Sequence, residues 1–375
     1  MSVTAGDHAP GNGDAALLSV RGLSVSFAQS GASRARAVDG VSLTLYPDQT
    51  VAVVGESGSG KSVTALSILR LLPGSAASID SGSVVLRAPG EAPVDVLKLA
   101  VPDLRRVRGR RIAMIFQEPM TSLNPLMPVG EQVAEGVRLH HGLSARDAMD
   151  RAAGAFREVG LGADRSLLRS YPHEFSGGMR QRVMIAMALG CEPAVLLADE
   201  PTTALDVSTQ AQILDLILAA RRSRGMGVVL ITHDLGLVAR HAEVACVMYA
   251  GRVVEYGPTA DVLRAPGHPY TRALLECRPN PRDRRARLPT VRQAIAHASS
   301  ADARGALPAG VEPWWPVPGA GEDERGARRA SVLVKTAATR WVRAWDGPGA
   351  GVLPRQEPDV PPSRRITGAS AVLSP

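Results

Sequence analysis

Cysteine is scarce in this 375-residue sequence: Cys191, Cys246 and Cys277 stand far apart, with no Cys-x-x-Cys pair. A disulfide-stapled scaffold and a cysteine zinc site are both excluded, and the three read as reduced thiols of a cytoplasmic chain. Long apolar runs are missing too, since none approaches the ~20 residues that cross a bilayer. Nothing near Met1 pairs a charged start with the apolar run of a secretory signal. The expectation is a chain that does not itself span a membrane. A basic face is also lacking in the main body. The formal charge is +7, but residues 278–375 hold 16 Lys plus Arg against 9 Asp plus Glu, which leaves 27 of each in residues 1–277. The excess sits in a Pro-, Gly- and Arg-rich tail, which argues against a folded nucleic-acid surface.

The pattern that is present divides the chain. Residues 1–16 are small and polar, and disorder is expected there. Apolar residues then alternate with polar ones (Leu18, Val20; Leu23, Val25, Phe27; Val41, Leu43, Leu45), the period of half-exposed strands in an antiparallel β-subdomain. Four short, continuous apolar runs, at 51–54, 113–116, 195–198 and 228–231, suit strands of a parallel sheet covered on both faces. Between the second and third runs, over about 122–190, the text turns helical and Arg-rich, which predicts a helical subdomain. Residues 17–277 should form one α/β domain. Beyond about Arg278 the periodicity fades, so 278–375 should be largely disordered, and removing 291–375 should leave stability nearly unchanged.

The chemistry begins at Gly55. Gly55, Glu56, Ser57, Gly58, Ser59, Gly60, Lys61 and Ser62 read GESGSGKS, a complete G-x-x-x-x-G-K-[ST] loop. It follows an apolar strand and opens a helical stretch at Val63 that runs to residue 72, where Pro73 stops it. The glycines let backbone N–H groups curl around phosphates, and the helix N-terminus adds a favourable dipole. In such a loop Lys61 gives a point charge to the phosphates and Ser62 ligates Mg²⁺. The loop alone leaves kinases, GTPases and motors open. Farther on, Asp199 ends an apolar strand, where a carboxylate can hold Mg²⁺ or its waters, and Glu200 beside it points differently. Phe27 is the aromatic chosen to stack on adenine, the alternative being a core phenylalanine.

The string FSGGMRQR at 175–182 resembles the signature of ATP-binding cassette (ABC) ATPases, and VLLADEPTTALD at 195–206 resembles their Walker B and D-loop segments. The resemblance implies a P-loop NTPase core of the ABC type. It also implies head-to-tail pairing, in which Ser176, Gly177, Gly178 and Met179 of one domain close over the γ-phosphate held by the other's loop. Glu200 is then the general base, His233 the switch histidine on the γ-phosphate, Gln117 the Q-loop contact to Mg²⁺ and water, and Asp206 the D-loop aspartate at the seam. A binding-only module would be expected to lack Glu200 or His233, and both are present.

Two further strings, RGRRIAMIFQEPMTSLNP (108–125) and GRVVEYGPTADVLRAPGHPYTRALL (251–275), resemble the ATPase subunits of oligopeptide, dipeptide and nickel importers. Residues 17–290 share that resemblance, and Met179 in place of the superfamily's usual Gln is normal there. It implies hydrolysis of Mg²⁺-bound ATP by a peripheral subunit on the cytoplasmic membrane face. The implied partners are a second ABC ATPase subunit, usually a paralogue, two integral-membrane permeases and, indirectly, a solute-binding protein. Peptide is the favoured cargo, followed by nickel, other small solutes and glutathione. One departure is large: no cysteine follows Cys277, whereas these subunits usually continue into a Cys-rich stretch that holds an iron–sulfur cluster. No cluster is expected, and the tail reads as a truncated or frame-shifted end. The alternative, a non-transport ABC ATPase acting on nucleic acid, would need a basic face or a coiled-coil insertion, and the sequence offers neither.

Overall fold

The structure, a computed structural model, describes residues 16–29, 34–118, 122–162, 164–203, 205–277, 331–337 and 339–345, together with Pro358. The alternating stretch becomes β1 (Leu18–Ala28) and β2 (Arg34–Leu45), an antiparallel pair with Leu18 opposite Leu45 and Val20 opposite Leu43. Leu18, Val20, Leu23 and Val25 are all buried, as the period-two pattern requires. Next come β3 (Thr50–Val54) and α1 (Lys61–Ile68), which ends earlier than the sequence suggests because Arg70 takes a left-handed φ of 52°. β4 (Ala77–Leu86) and β5 (Val94–Asp95) complete a four-stranded sheet in the order β2-β1-β4-β5. Neither is visible in the sequence, because the Ser-rich ASIDSGSVVL has no clean alternation.

After α2 (Val101–Val107) and β6 (Ile112–Ile115), the chain forms α3 (Val129–His141), α4 (Ala145–Glu158), α5 (Arg165–Arg169) and α6 (Gly177–Gly190). Ser144, Asp164 and Ser176 cap the last three by accepting from Asp147 N, Ser166 N and Met179 N. This is the helical region expected near 122–190. There follow β7 (Val195–Asp199), α7 (Val207–Arg224), β8 (Gly227–Thr232), α8 (Leu235–His241), β9 (Val244–Tyr249), β10 (Arg252–Pro258), α9 (Thr259–Arg264) and α10 (Pro269–Glu276).

β3, β6, β7, β8 and β9 run parallel in an eight-stranded sheet whose other members pair antiparallel. Its central strands explain their unbroken apolar text. Val195 and Leu197 of β7 join one core cluster while Leu196 and Ala198 join another, and in β8 Val229 and Ile231 part in the same way from Val228 and Leu230. Each strand faces apolar matter on both sides, and each Val, Leu or Ile so buried contributes about 1.5–3 kcal/mol.

Within the tail expected to be largely disordered, the described residues include one ordered stretch. β11 (Ser331–Ala337) and β12 (Arg340–Trp345) form a hairpin, and β12 adds to the edge of β10 through Glu255 opposite Val342 and Tyr256 opposite Trp341. Trp341 and Val342 are fully buried, Trp341 meets Tyr256 edge to face at 5.9 Å, and Arg340 pairs with the buried Glu255. The open edge of β10 and the apolar face of Tyr256 supply what the tail's own composition does not. The expectations for 1–15, 278–330, 346–357 and 359–375 fall outside the described residues.

Candidate functional site

Residues 55–60 join β3 to α1, and their backbone is shaped by close approaches. A Cβ on Gly55 would overlap the Met248 carbonyl oxygen, and one on Gly60 would stand 2.7 Å from the carbonyl oxygen of Ala37. Gly58 (φ 80°) and Gly60 (φ 99°), the residue that caps α1, both lie in the left-handed region. Glu56, Ser57 and Gly58 form an exposed lip above the buried Ser59, Gly60 and Lys61, while Val63 packs its side chain against the core.

Lys61 folds back into this loop, its Nζ donating to Gly55 O and Glu56 O at 2.8 Å each. Burial lowers the Lys61 ammonium's pKa, and the charges of Glu200, Asp199 and Glu56 oppose that effect. The buried Ser59 hydroxyl has no hydrogen-bond partner among the described residues. An unsatisfied hydroxyl and a cation held by main-chain carbonyls, together at a helix N-terminus, suit an incoming anion.

Across the loop, Ser62 Oγ donates to Asp199 Oδ1 at 3.1 Å. Burial pushes the Asp199 carboxyl up, with Ser62 and Lys61 pulling it down and Glu200 adding to the rise. This pair of hard oxygen donors beside a phosphate loop fits Mg²⁺. Glu200 takes a left-handed φ of 46°. Its Oε2 is a meeting point: Thr203 Oγ1 donates to it at 2.8 Å, Gln117 Nε2 at 3.4 Å, and His233 Nδ1 lies 3.4 Å away. Lys61, Ser62, Gln117, Asp199, Glu200 and His233 are thus gathered at one place from β3, β6, β7 and β8 and the segments that follow them. Thr203 is an addition that sequence reasoning missed, although it lies inside the DEPTTALD string.

Other expected residues stand apart. Ser176 caps α6 at Met179 N, and the backbone at Gly177 faces open space. Gly178 lies against Thr209 of α7, whose own cap is Asp206, accepting from Thr209 N, Thr209 Oγ1 and Ser208 Oγ. The Ser208 hydroxyl, then Thr209, hold the Asp206 carboxyl well below the usual carboxylate range. Among the described residues no hydrogen bond joins Ser176–Met179 or Asp206 to the phosphate loop. Phe27 lies opposite Ala35, two residues from the Ala37 that touches Gly60, and is half-buried against the core.

A family model described as ABC transporter matches residues 38–203, and one described as oligopeptide/dipeptide transporter, C-terminal region, matches 254–305. The second match continues past residue 290, where the resemblance read from the sequence stops. The glutathione import ATP-binding protein GsiA of Salmonella typhimurium is 51% identical over 263 residues, which cover 70% of this chain and 42% of that protein. This chain therefore spans less than half the length of that relative. A putative peptide import ATP-binding protein of Brucella melitensis is 50% identical over 263 residues, covering 70% of this chain and 78% of the relative. Among solved structures, a dimeric ATP-binding cassette in a post-hydrolysis state bound to ADP and Pi is 27% identical, with a TM-score of 0.56 over 64% of this chain and 98% of the other.

Proposed function

Because this chain belongs to the ABC transporter family, we propose that it binds Mg²⁺ and ATP and hydrolyses the nucleotide to drive uptake of peptides or related small solutes, glutathione among them. The observation that carries the proposal is the convergence of Lys61, Ser62, Gln117, Asp199, Glu200 and His233 at the mouth of a phosphate loop. In this reading Lys61 gives its charge to the phosphates, and backbone N–H groups of the loop bind the anion. Ser62 and Asp199, with Gln117, hold Mg²⁺, which when bound offsets phosphate charge and orients the nucleotide. Glu200 Oε2 accepts the proton of the attacking water, held towards it by Thr203, while Gln117 and His233 flank the γ-phosphate.

Ser176, Gly177, Gly178 and Met179 lie on a separate helix start with open space at Gly177, which suits them to the nucleotide of a facing cassette, with Asp206 near the seam. Phe27 is the proposed adenine platform. The proposed partners are a second ABC ATPase subunit, a pair of membrane permeases and, through them, a solute-binding protein. Among the described residues no helix is long and apolar enough to cross a membrane, and the proposed place is the cytoplasmic membrane face.

Calorimetric titration of MgATP into wild-type and Lys61→Ala chains tests the reading. Charge-assisted contacts contribute about 1.5–3 kcal/mol, so the variant should bind about tenfold more weakly or worse. Equal affinity, or no binding by wild type, would overturn it.

A further inference from the structure

The peptide that opens the phosphate loop is held from outside the loop. Glu56 N donates to the Tyr270 hydroxyl at 2.9 Å, a contact between residues 214 positions apart. Tyr270 is fully buried near the start of α10, and its ring meets Tyr249 at 4.4 Å. Burial pushes its pKa up, so it stays a neutral hydroxyl. Its position is fixed in turn. The His268 side chain caps α10 by accepting from Tyr270 N at 3.1 Å, and the N–H groups of Gly267 and His268 donate to the buried Glu255 carboxylate at 2.8 and 3.0 Å.

We propose that Tyr270 is a positioning residue for nucleotide binding, its hydroxyl anchoring the Glu56 amide so that the loop keeps its shape as the phosphates bind. This rests on the ATP-binding reading above. Lys61 Nζ ties the loop at the Gly55 and Glu56 carbonyls. Those ties lie inside the loop, as does the bond from Ser59 N to Glu56 O at 3.2 Å, whereas Tyr270 fixes Glu56 from outside it. A loop freed at Glu56 would have to be ordered by the ligand, which weakens binding. Glu200 is oriented by Thr203 and by its backbone bond to Ile231 of β8, so the hydrolytic step does not depend on this anchor.

Tyr270→Phe keeps the buried ring and removes only the bond. For the full chain, the expected result is a MgATP Kd and KM raised about three- to tenfold, the range one hydrogen bond supports. kcat at saturation should stay close to wild type, and the thermal midpoint without nucleotide should fall by no more than a few degrees. An unchanged Kd would overturn the proposal, as would a lower kcat at unchanged KM, the pattern of a merely smaller folded fraction. Lys61→Ala separates the two levels. If wild type binds MgATP, Lys61→Ala does not and Tyr270→Phe matches wild type, the Tyr270 proposal alone fails. If wild type does not bind, the ATP reading fails with it.

Discussion

Asp199 has an environment that works against its own charge. It is 3% exposed, and burial dominates the upward shift of its carboxyl. A carboxyl whose folded pKa is raised favours the fold below its unfolded pKa, and that contribution is lost as pH rises through the folded value. Near neutrality the ionised group therefore costs stability, an expense accepted for its place beside Ser62. Asp199→Asn should raise the melting temperature at pH 7 without nucleotide or metal, at about 2–4 °C per kcal/mol, and the gain should shrink as pH falls into the carboxylate range. A lower melting temperature for the variant at pH 7 would contradict this. At this scale the sequence was readable where one string carries the chemistry: GESGSGKS and ADEPTTALD put Lys61, Ser62, Asp199 and Glu200 in view. Thr203's bond to Glu200 and Tyr270's bond to Glu56 were not readable, since a hydroxyl's partner depends on tertiary placement.

Among elements, those that bury their own pattern were legible and those that borrow a neighbour were not. β1, β2, β3, β6, β7 and β8 follow the expected runs, because alternation or continuous apolarity within a few residues decides them. β4 needs β1, and β12 needs an edge strand some 85 residues earlier in the chain, as Glu255 opposite Val342 illustrates. The tail hairpin is thus where composition misleads most. Ending the chain after residue 330 should uncover Tyr256 and leave Glu255 without Arg340, a buried charge that loses its partner. The milder Trp341→Ala should cost about 3–5 kcal/mol. Thermal unfolding should show a lower midpoint for both variants. Midpoints equal to wild type would return the hairpin to the disorder expected from the sequence.

For the whole molecule, the distribution of function follows from the two sheets and the helical region between them. The parallel strands deliver Lys61, Asp199, Glu200 and His233 to one side, while α6 carries Ser176 and Gly177 to a separate helix start. The proposed function assigns the first of these to this chain's own nucleotide and the second to a facing cassette. The chain's formal charge is balanced over residues 1–277 and positive only beyond them. Hydrolysis at Glu200 is the step on which the proposed function turns. Phosphate release from saturating MgATP, compared between wild type and Glu200→Gln, tests it most directly. Loss of the general base should cut turnover by about 10²-fold or more while leaving nucleotide affinity near wild type; equal turnover in the two chains would contradict it.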